Sequence, residues 1–187
     1  MKKIILSSNS PRRKELLAGL DLDFEVRVLQ GIDESYPHDL PVGQIPQYIA
    51  QQKAAAYTIA ADELVLTADT SVVVDHQVLG KPADATDAHR MLRLLSGRTH
   101  QVITGVCLTS AKTQRAFSVT TDVTFRELTD AEIDYYIERY QPYDKAGAYG
   151  IQEWIGYVGV TGIHGSYFNV MGLPVQRIYQ ELQLMEP

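Results

Sequence analysis

Two stretches of this chain pair reactive residue types with positions that suit phosphate chemistry. Ser7-Ser8-Asn9-Ser10-Pro11-Arg12-Arg13 follows the apolar run Ile4-Ile5-Leu6 and precedes a helical pattern. Free N–H groups and the dipole at a helix start attract anions. Ser8 and Ser10 add hydroxyl donors, and the adjacent Arg12 and Arg13 can fork onto phosphate oxygens. The same residues would also make a capped surface helix with two solvated arginines. Asp69 is the sharper signal. It interrupts the apolar sequence Leu64-Val65-Leu66-Thr67-Ala68-Asp69-Thr70-Ser71-Val72-Val73-Val74, where a carboxylate is costly unless paired or metal-bound. A carboxylate so placed can hold a metal or activate water; a hydrogen-bonded aspartate capping a turn is the plainer alternative.

Weaker signals surround these two. Gly80-Lys81-Pro82 fixes one cation between a flexible and a rigid residue, where it can meet a phosphate or simply face solvent. Lys53 stands among small residues, Ala50, Ala54, Ala55 and Ala56. Asp33-Glu34 offers oxygen ligands to a hard cation such as Mg²⁺, although an acidic pair in a loop is ordinarily solvated. Asp144-Lys145-Ala146-Gly147-Ala148-Tyr149-Gly150-Ile151-Gln152 is small enough for close backbone approach to a ligand. Gln152 within it carries both the donor and the acceptor that reading a base edge requires. The five histidines have no zinc spacing, and neither a nucleophile elbow nor a Walker lysine motif is present. The balance shifts from covalent acyl transfer towards metal-assisted attack by water.

The elements that must carry these residues alternate along the chain. A strand is predicted at 4–7, then a helix to about residue 20 with Ser10 as N-cap and Pro11 in its first turn. A second strand is expected at 24–29 and a helix over 44–62, with Ile45, Tyr48, Ile49, Ala55 and Ile59 facing inward. Strand 64–74 returns through a turn at 75–77 to Val78-Leu79. A helix over 84–95 ends before Gly97, and strand-rich runs follow at 101–109 and 115–128. Thr129-Asp130-Ala131-Glu132 has capping-box spacing and predicts a helix to about residue 140. After the loop 142–150, short strands are expected near 157–160 and 166–170, then a closing helix over 174–184. With no repeats or linkers, the chain reads as one α/β unit.

Composition narrows the functional classes. Hydrophobic residues make up 45% and charged residues 21%, with a net charge of −6, so a sizeable core is expected. No dense basic stripe exists to grip nucleic acid. No apolar run approaches the ~20 residues of a membrane span. The apolar stretch after Lys2-Lys3 is too short for a secretory signal, which needs roughly 7–15 residues. Cys107, the single cysteine, reads as a buried structural thiol. A cytoplasmic protein is predicted, with a small-molecule partner in place of nucleic acid or membrane.

Together these segments resemble the Maf family of nucleotide pyrophosphatases over nearly the full length, so that residues 1–187 would form one Maf-like domain. The resemblance rests on Ser8-Asn9-Ser10-Pro11-Arg12-Arg13, Asp33-Glu34, Lys53-Ala54, Ala68-Asp69-Thr70 and Gly80-Lys81-Pro82. Ser96-Gly97-Arg98-Thr99-His100-Gln101-Val102, the 144–152 stretch and Gly172-Leu173-Pro174 complete it. It implies an elongated α/β fold similar to inosine triphosphatase: a mixed, curved sheet flanked by helices, with a cleft between two lobes. Ala68-Asp69-Thr70 and Ala148-Tyr149-Gly150-Ile151-Gln152 look like the branch acting on dTTP and UTP, and on modified pyrimidine nucleotides; a sister branch takes 7-methyl-GTP. The resemblance implies Asp69 as catalytic acid/base and Arg12, Thr70 and Gln152 as determinants of substrate choice. It further implies that Ser8, Arg13, Glu34, Lys53 and Lys81 line the phosphate and metal site. A divalent cation, Mg²⁺ or Mn²⁺, would be held by Glu34 and Asp69, and the protein would be a homodimer. The alternative function is a nucleotide-binding regulator of septum formation without turnover. One departure is plain: where the family often has glycine after Gln152, this chain has Glu153-Trp154.

Overall fold

The computed structural model describes residues 2–185. Local chemistry sets most helix starts. The helix α1 (Pro11–Ala18) begins with the Ser10 hydroxyl accepting from the Arg13 N–H and with proline in its first turn, where a missing N–H costs nothing. The helix α3 (Ala85–Leu95) is capped by Asp84, whose carboxylate accepts from Asp87 N at 2.8 Å. The capping box of α4 (Asp130–Tyr140) is complete: Thr129 Oγ1 accepts from Glu132 N, and a Glu132 carboxylate oxygen accepts from Thr129 N. Such a box satisfies two otherwise unpaired donors at once.

The strands are β1 (Lys3–Leu6), β2 (Phe24–Val26), β3 (Glu63–Val74), β4 (Gln77–Leu79), β5 (Thr99–Ser110), β6 (Gln114–Phe125) and β7 (Val160–His164). They form one seven-stranded mixed sheet in the order β2-β1-β3-β5-β6-β7, with β4 paired to β3. The strand β1 runs parallel to both β2 and β3, Ile4 facing Phe24 and Leu64. The strand β4 is antiparallel to β3, with Val73 opposite Val78, and β7 is antiparallel to β6. The tight turn into β4 places both Asp75 and His76 at positive φ, as a two-residue hairpin of primed type requires. The strand β1 covers Glu63 to Leu66 of β3 and β4 covers Val72 to Val74, so Asp69 falls between the two registers.

The chain divides into two compact units, each assembled from separated segments: residues 1–70, 104–119 and 172–187 in one, 71–103 and 120–171 in the other. The first unit carries α1, α2 (Ile45–Ala55) and α7 (Val175–Met185) and buries Ile4, Ile5, Leu6, Leu17, Ile49, Val65, Leu66, Val106 and Ile178. Ala50, Ala54 and Cys107 form a small-residue cluster that brings α2 close to β5, and Cys107 is a buried free thiol. The second unit carries α3, α4, α5 (Trp154–Gly159) and α6 (Tyr167–Met171) around a core that includes Val72, Leu92, Leu95, Phe125, Ile133 and Tyr136. Fully burying each such side chain contributes about 1.5–3 kcal/mol. No helix among the described residues is long and apolar enough to cross a membrane.

Three expectations need correction. The helix predicted over 44–62 ends at Ala55; Tyr57 is drawn off the helical path because its hydroxyl lies 2.6 Å from Ser7 Oγ and 2.7 Å from Arg27 O. The strand at 24–29 stops at Val26. The strands expected near 157–160 and 166–170 are the helices α5 and α6, and β7 lies between them. Their β-branched and aromatic residues favour strands only where a pleated face can be buried, and Tyr157 is 84% exposed. Ser166 starts α6 by accepting from Asn169 N at 3.2 Å.

Candidate active site

Two periodicities meet at Asp69. Alternate residues of a strand share a face, and residues three apart share a face of a helix. Thr67 and Asp69 are such a pair on β3, and Ala50 and Lys53 on α2. Thr67 Oγ1 donates to Ala50 O at 2.6 Å, which sets α2 against β3. One turn further along, Lys53 Nζ reaches Ala68 O at 3.1 Å and Asp69 Oδ1 at 3.5 Å. The same ammonium lies 3.0 Å from Glu34 Oε1. Two carboxylates therefore converge on one cation, and the 33–35 loop is held by Asp33, which accepts from Ser35 N and Ser35 Oγ.

Arg13 brackets the same carboxylate. Its Nη1 donates to Ala68 O at 3.2 Å, its Nη2 to Thr70 Oγ1 at 3.0 Å and its Nε to Gly172 O at 2.8 Å. The carbonyl of Ala68, bound by both Arg13 and Lys53, is a backbone acceptor for two positive charges. Gly172 presents its carbonyl from a φ of +122°, a conformation that glycine alone adopts readily. Thr70 Oγ1 lies 3.0 Å from Thr104 Oγ1. Ser8 is buried, and its hydroxyl accepts from Ser10 N at 3.1 Å. Arg12, half-buried, adds positive potential next to Arg13.

Burial pushes the Asp69 carboxyl above its ordinary value. Lys53 and Arg13 pull it back down and Glu34 pushes it up again. Burial likewise lowers Arg13, opposed by Asp69. A carboxylate whose proton affinity is raised while it stays 19% exposed can take a proton from water. Among the described residues no three His, Cys, Asp or Glu side chains gather as a metal cluster. The pair Glu34 and Asp69 nevertheless supplies the hard oxygen donors that a divalent cation prefers.

The structure thus brings Ser8, Arg12, Arg13, Glu34, Lys53, Asp69 and Thr70 into the first unit, while Lys81 and Gln152 belong to the second. There, Gly80 O accepts from Gly147 N at 3.1 Å, which ties the exposed Lys81 turn to the 144–152 loop. Gln152 is half-buried, and its Oε1 is buried without a hydrogen-bond partner. Tyr149 is fixed by His100 Nε2 at 2.5 Å and by edge contacts with His100 and Phe125; burial lowers the His100 pKa to about 4. Sequence reasoning missed Tyr136, whose hydroxyl accepts from Gly150 N at 3.0 Å and donates to Glu153 Oε1 at 2.9 Å. Lys145 Nζ lies 3.5 Å from the same carboxylate oxygen. Thr104 and the Gly172 carbonyl were missed too; only the Gly172-Leu173-Pro174 stretch gave any signal.

A family profile described as Maf-like protein matches residues 3–185. A dTTP/UTP pyrophosphatase of Phocaeicola vulgatus is 64% identical over 183 residues, covering 97% of this chain and 95% of the relative. One from Parabacteroides distasonis is 58% identical with the same coverage of both. One from Flavobacterium psychrophilum is 50% identical over 179 residues, 95% of this chain and 91% of its own. Among solved structures, a HAM1 protein from Coxiella burnetii aligns over 98% of this chain and 100% of its own, with 13% identity and a TM-score of 0.46.

Proposed function

The chain belongs to the Maf family, and from that premise we infer how it works: it is a nucleoside triphosphate pyrophosphatase, converting dTTP and UTP to the monophosphate and pyrophosphate. Relatives of that name share 50–64% identity with it over nearly their whole length. The observation that carries the mechanism is the shared ammonium. Lys53 lies within 3.5 Å of Asp69 and 3.0 Å of Glu34, while Arg13 donates to the residues on both sides of Asp69.

In this reading Asp69 takes a proton from the attacking water, whose oxygen bonds to the α-phosphorus as the bond to the pyrophosphate oxygen breaks. Arg12, Arg13, Lys53 and Lys81 offset the triphosphate charge. Ser8 holds the strand-to-helix turn that presents the arginines. A divalent cation, Mg²⁺ or Mn²⁺, fits the oxygens of Glu34 and Asp69 and would supply further neutralisation of phosphate charge. Positioning and charge neutralisation dominate such reactions. The buried, unpartnered Oε1 of Gln152 is an acceptor in want of a donor. Uracil and thymine offer an N–H at N3, where cytosine offers an acceptor, so a Gln152 amide held with its oxygen towards N3 selects against CTP. The free thiol of Cys107 suits a reducing compartment, and on this reading the protein is placed in the cytoplasm.

The test is pyrophosphate release from dTTP, UTP, CTP, GTP and 7-methyl-GTP, with and without chelator. Release from dTTP and UTP that stops on chelation is expected. Preference for a guanine substrate would overturn the base assignment, and nucleotide binding without release would favour the regulator.

A further inference from the structure

Glu153 occupies the position after the proposed base-reading residue, and its carboxylate closes a directed chain of hydrogen bonds. Gly150 N donates to Tyr136 Oη at 3.0 Å, and Tyr136 Oη donates to Glu153 Oε1 at 2.9 Å. The Lys145 ammonium faces that oxygen from 3.5 Å and pairs with Asp144 at 3.0 Å. With its proton committed to the carboxylate, the tyrosine oxygen has a lone pair for the Gly150 N–H, and such chains reinforce one another in a dry interior. Tyr136 is fully buried and stacks on Tyr140 with ring centroids 5.2 Å apart, so the hydroxyl cannot wander. Burial raises its pKa, keeping it a donor.

A Cβ on Gly150 would stand 2.6 Å from Glu153 Oε1 and 3.0 Å from Lys145 Cε, so both side chains lie directly over the Gly150 backbone. Glu153 N also donates to Gly150 O at 3.0 Å, and Gly156 N to Glu153 O at 2.9 Å. Gly150 and Glu153 are thereby held at the two ends of a turn whose inner residues are Ile151, buried, and Gln152. Whatever fixes the ends of that turn fixes the Cα and Cβ from which the Gln152 side chain extends.

We infer that Glu153, acting through Tyr136 and Gly150, is a positioning residue for base selection, locking the turn that presents Gln152 to the pyrimidine edge. The inference rests on the base-reading role proposed above for Gln152. UTP and CTP differ only at that edge, so the ratio of their kcat/KM values reports the position of Gln152 and not general stability.

Tyr136→Phe keeps the buried ring and deletes one hydroxyl, while Glu153→Ala deletes the carboxylate. Both, and the double variant, are assayed by pyrophosphate release from UTP and CTP beside thermal unfolding. Each single change is expected to lower the UTP-over-CTP ratio about tenfold, the size of one hydrogen bond to a charged group. The UTP loss should fall on KM more than on kcat, and the double variant should lose no more than either single one. Tyr136→Phe decides alone if Glu153→Ala does not fold. A wild-type ratio in folded Tyr136→Phe, whatever its melting temperature, overturns the inference while leaving Gln152 as base reader. A wild-type enzyme indifferent to UTP and CTP overturns the Gln152 reading, and this inference with it.

Discussion

Asp69 is a residue at which function and stability pull apart. As the proposed base it would contribute roughly 10²- to 10⁴-fold to the rate, so Asp69→Asn should bind dTTP yet release almost no pyrophosphate; near-normal turnover would refute the role. Its effect on stability has the opposite sign. Burial holds the folded-state pKa above the ordinary 3.8. Between those two values the fold keeps a proton that the unfolded chain has released, so stability declines as pH rises through that window. Above it the whole cost of a buried charge persists. Metal-free Asp69→Asn, melted in chelator at pH 7, should therefore unfold at a higher temperature than the wild type. The gap should close as pH falls below 3.8. A lower melting temperature at pH 7 would mean that the Lys53 ion pair outweighs desolvation. Stability gained by removing a reactive group is the usual trade at such sites.

At the scale of elements, one hydroxyl sets the register between α2 and β3. Thr67→Val preserves volume but removes the donor to Ala50 O, held at 2.6 Å. A loss of about 1 kcal/mol is expected, seen as a lower denaturation midpoint. The activity loss should exceed what unfolding explains, because Lys53 lies one helical turn from Ala50. A folded variant with wild-type kcat/KM would show that Lys53 is placed independently of this bond. The sequence revealed elements where the determinant is local: Ser10, Asp84 and the Thr129–Glu132 box each bond within three residues of themselves. It misled where tertiary contacts override propensity, as in the Ala-rich stretch beyond Ala55 and in α5, where Ile155, Tyr157 and Val158 suggest a strand. The site followed the same rule. Asp69 was legible because a charge in an apolar strand demands a partner. The bond from Arg13 to Gly172 spans 159 residues, and nothing in a tyrosine-rich helix marks Tyr136 as the one that meets Glu153.

For the molecule as a whole, neither unit is a contiguous stretch of chain. The first is begun by residues before 71 and completed by residues after 171, so α7 is an integral part of the unit that holds Asp69. Its anchor is Glu181, 5% exposed, which accepts from Arg115 Nε at 2.5 Å and from Arg177 Nε at 2.7 Å. Arg177 also sits over the Phe117 ring at 4.9 Å. Burial pushes the Glu181 pKa up, but the two arginines outweigh it and the net shift is downward. A carboxylate depressed on folding contributes stability that is present above its unfolded value of 4.5. That contribution disappears as pH falls through the folded value. Glu181→Gln should therefore destabilise the protein at pH 7 by about 1–2 kcal/mol, discounted because both arginines are partly exposed. That corresponds to a melting-temperature drop of roughly a few degrees for a chain of this length. Measured from pH 7 downwards, the gap between variant and wild type should shrink below pH 4.5. A gap that stays constant with pH would assign the loss to packing of the side chain and not to its charge.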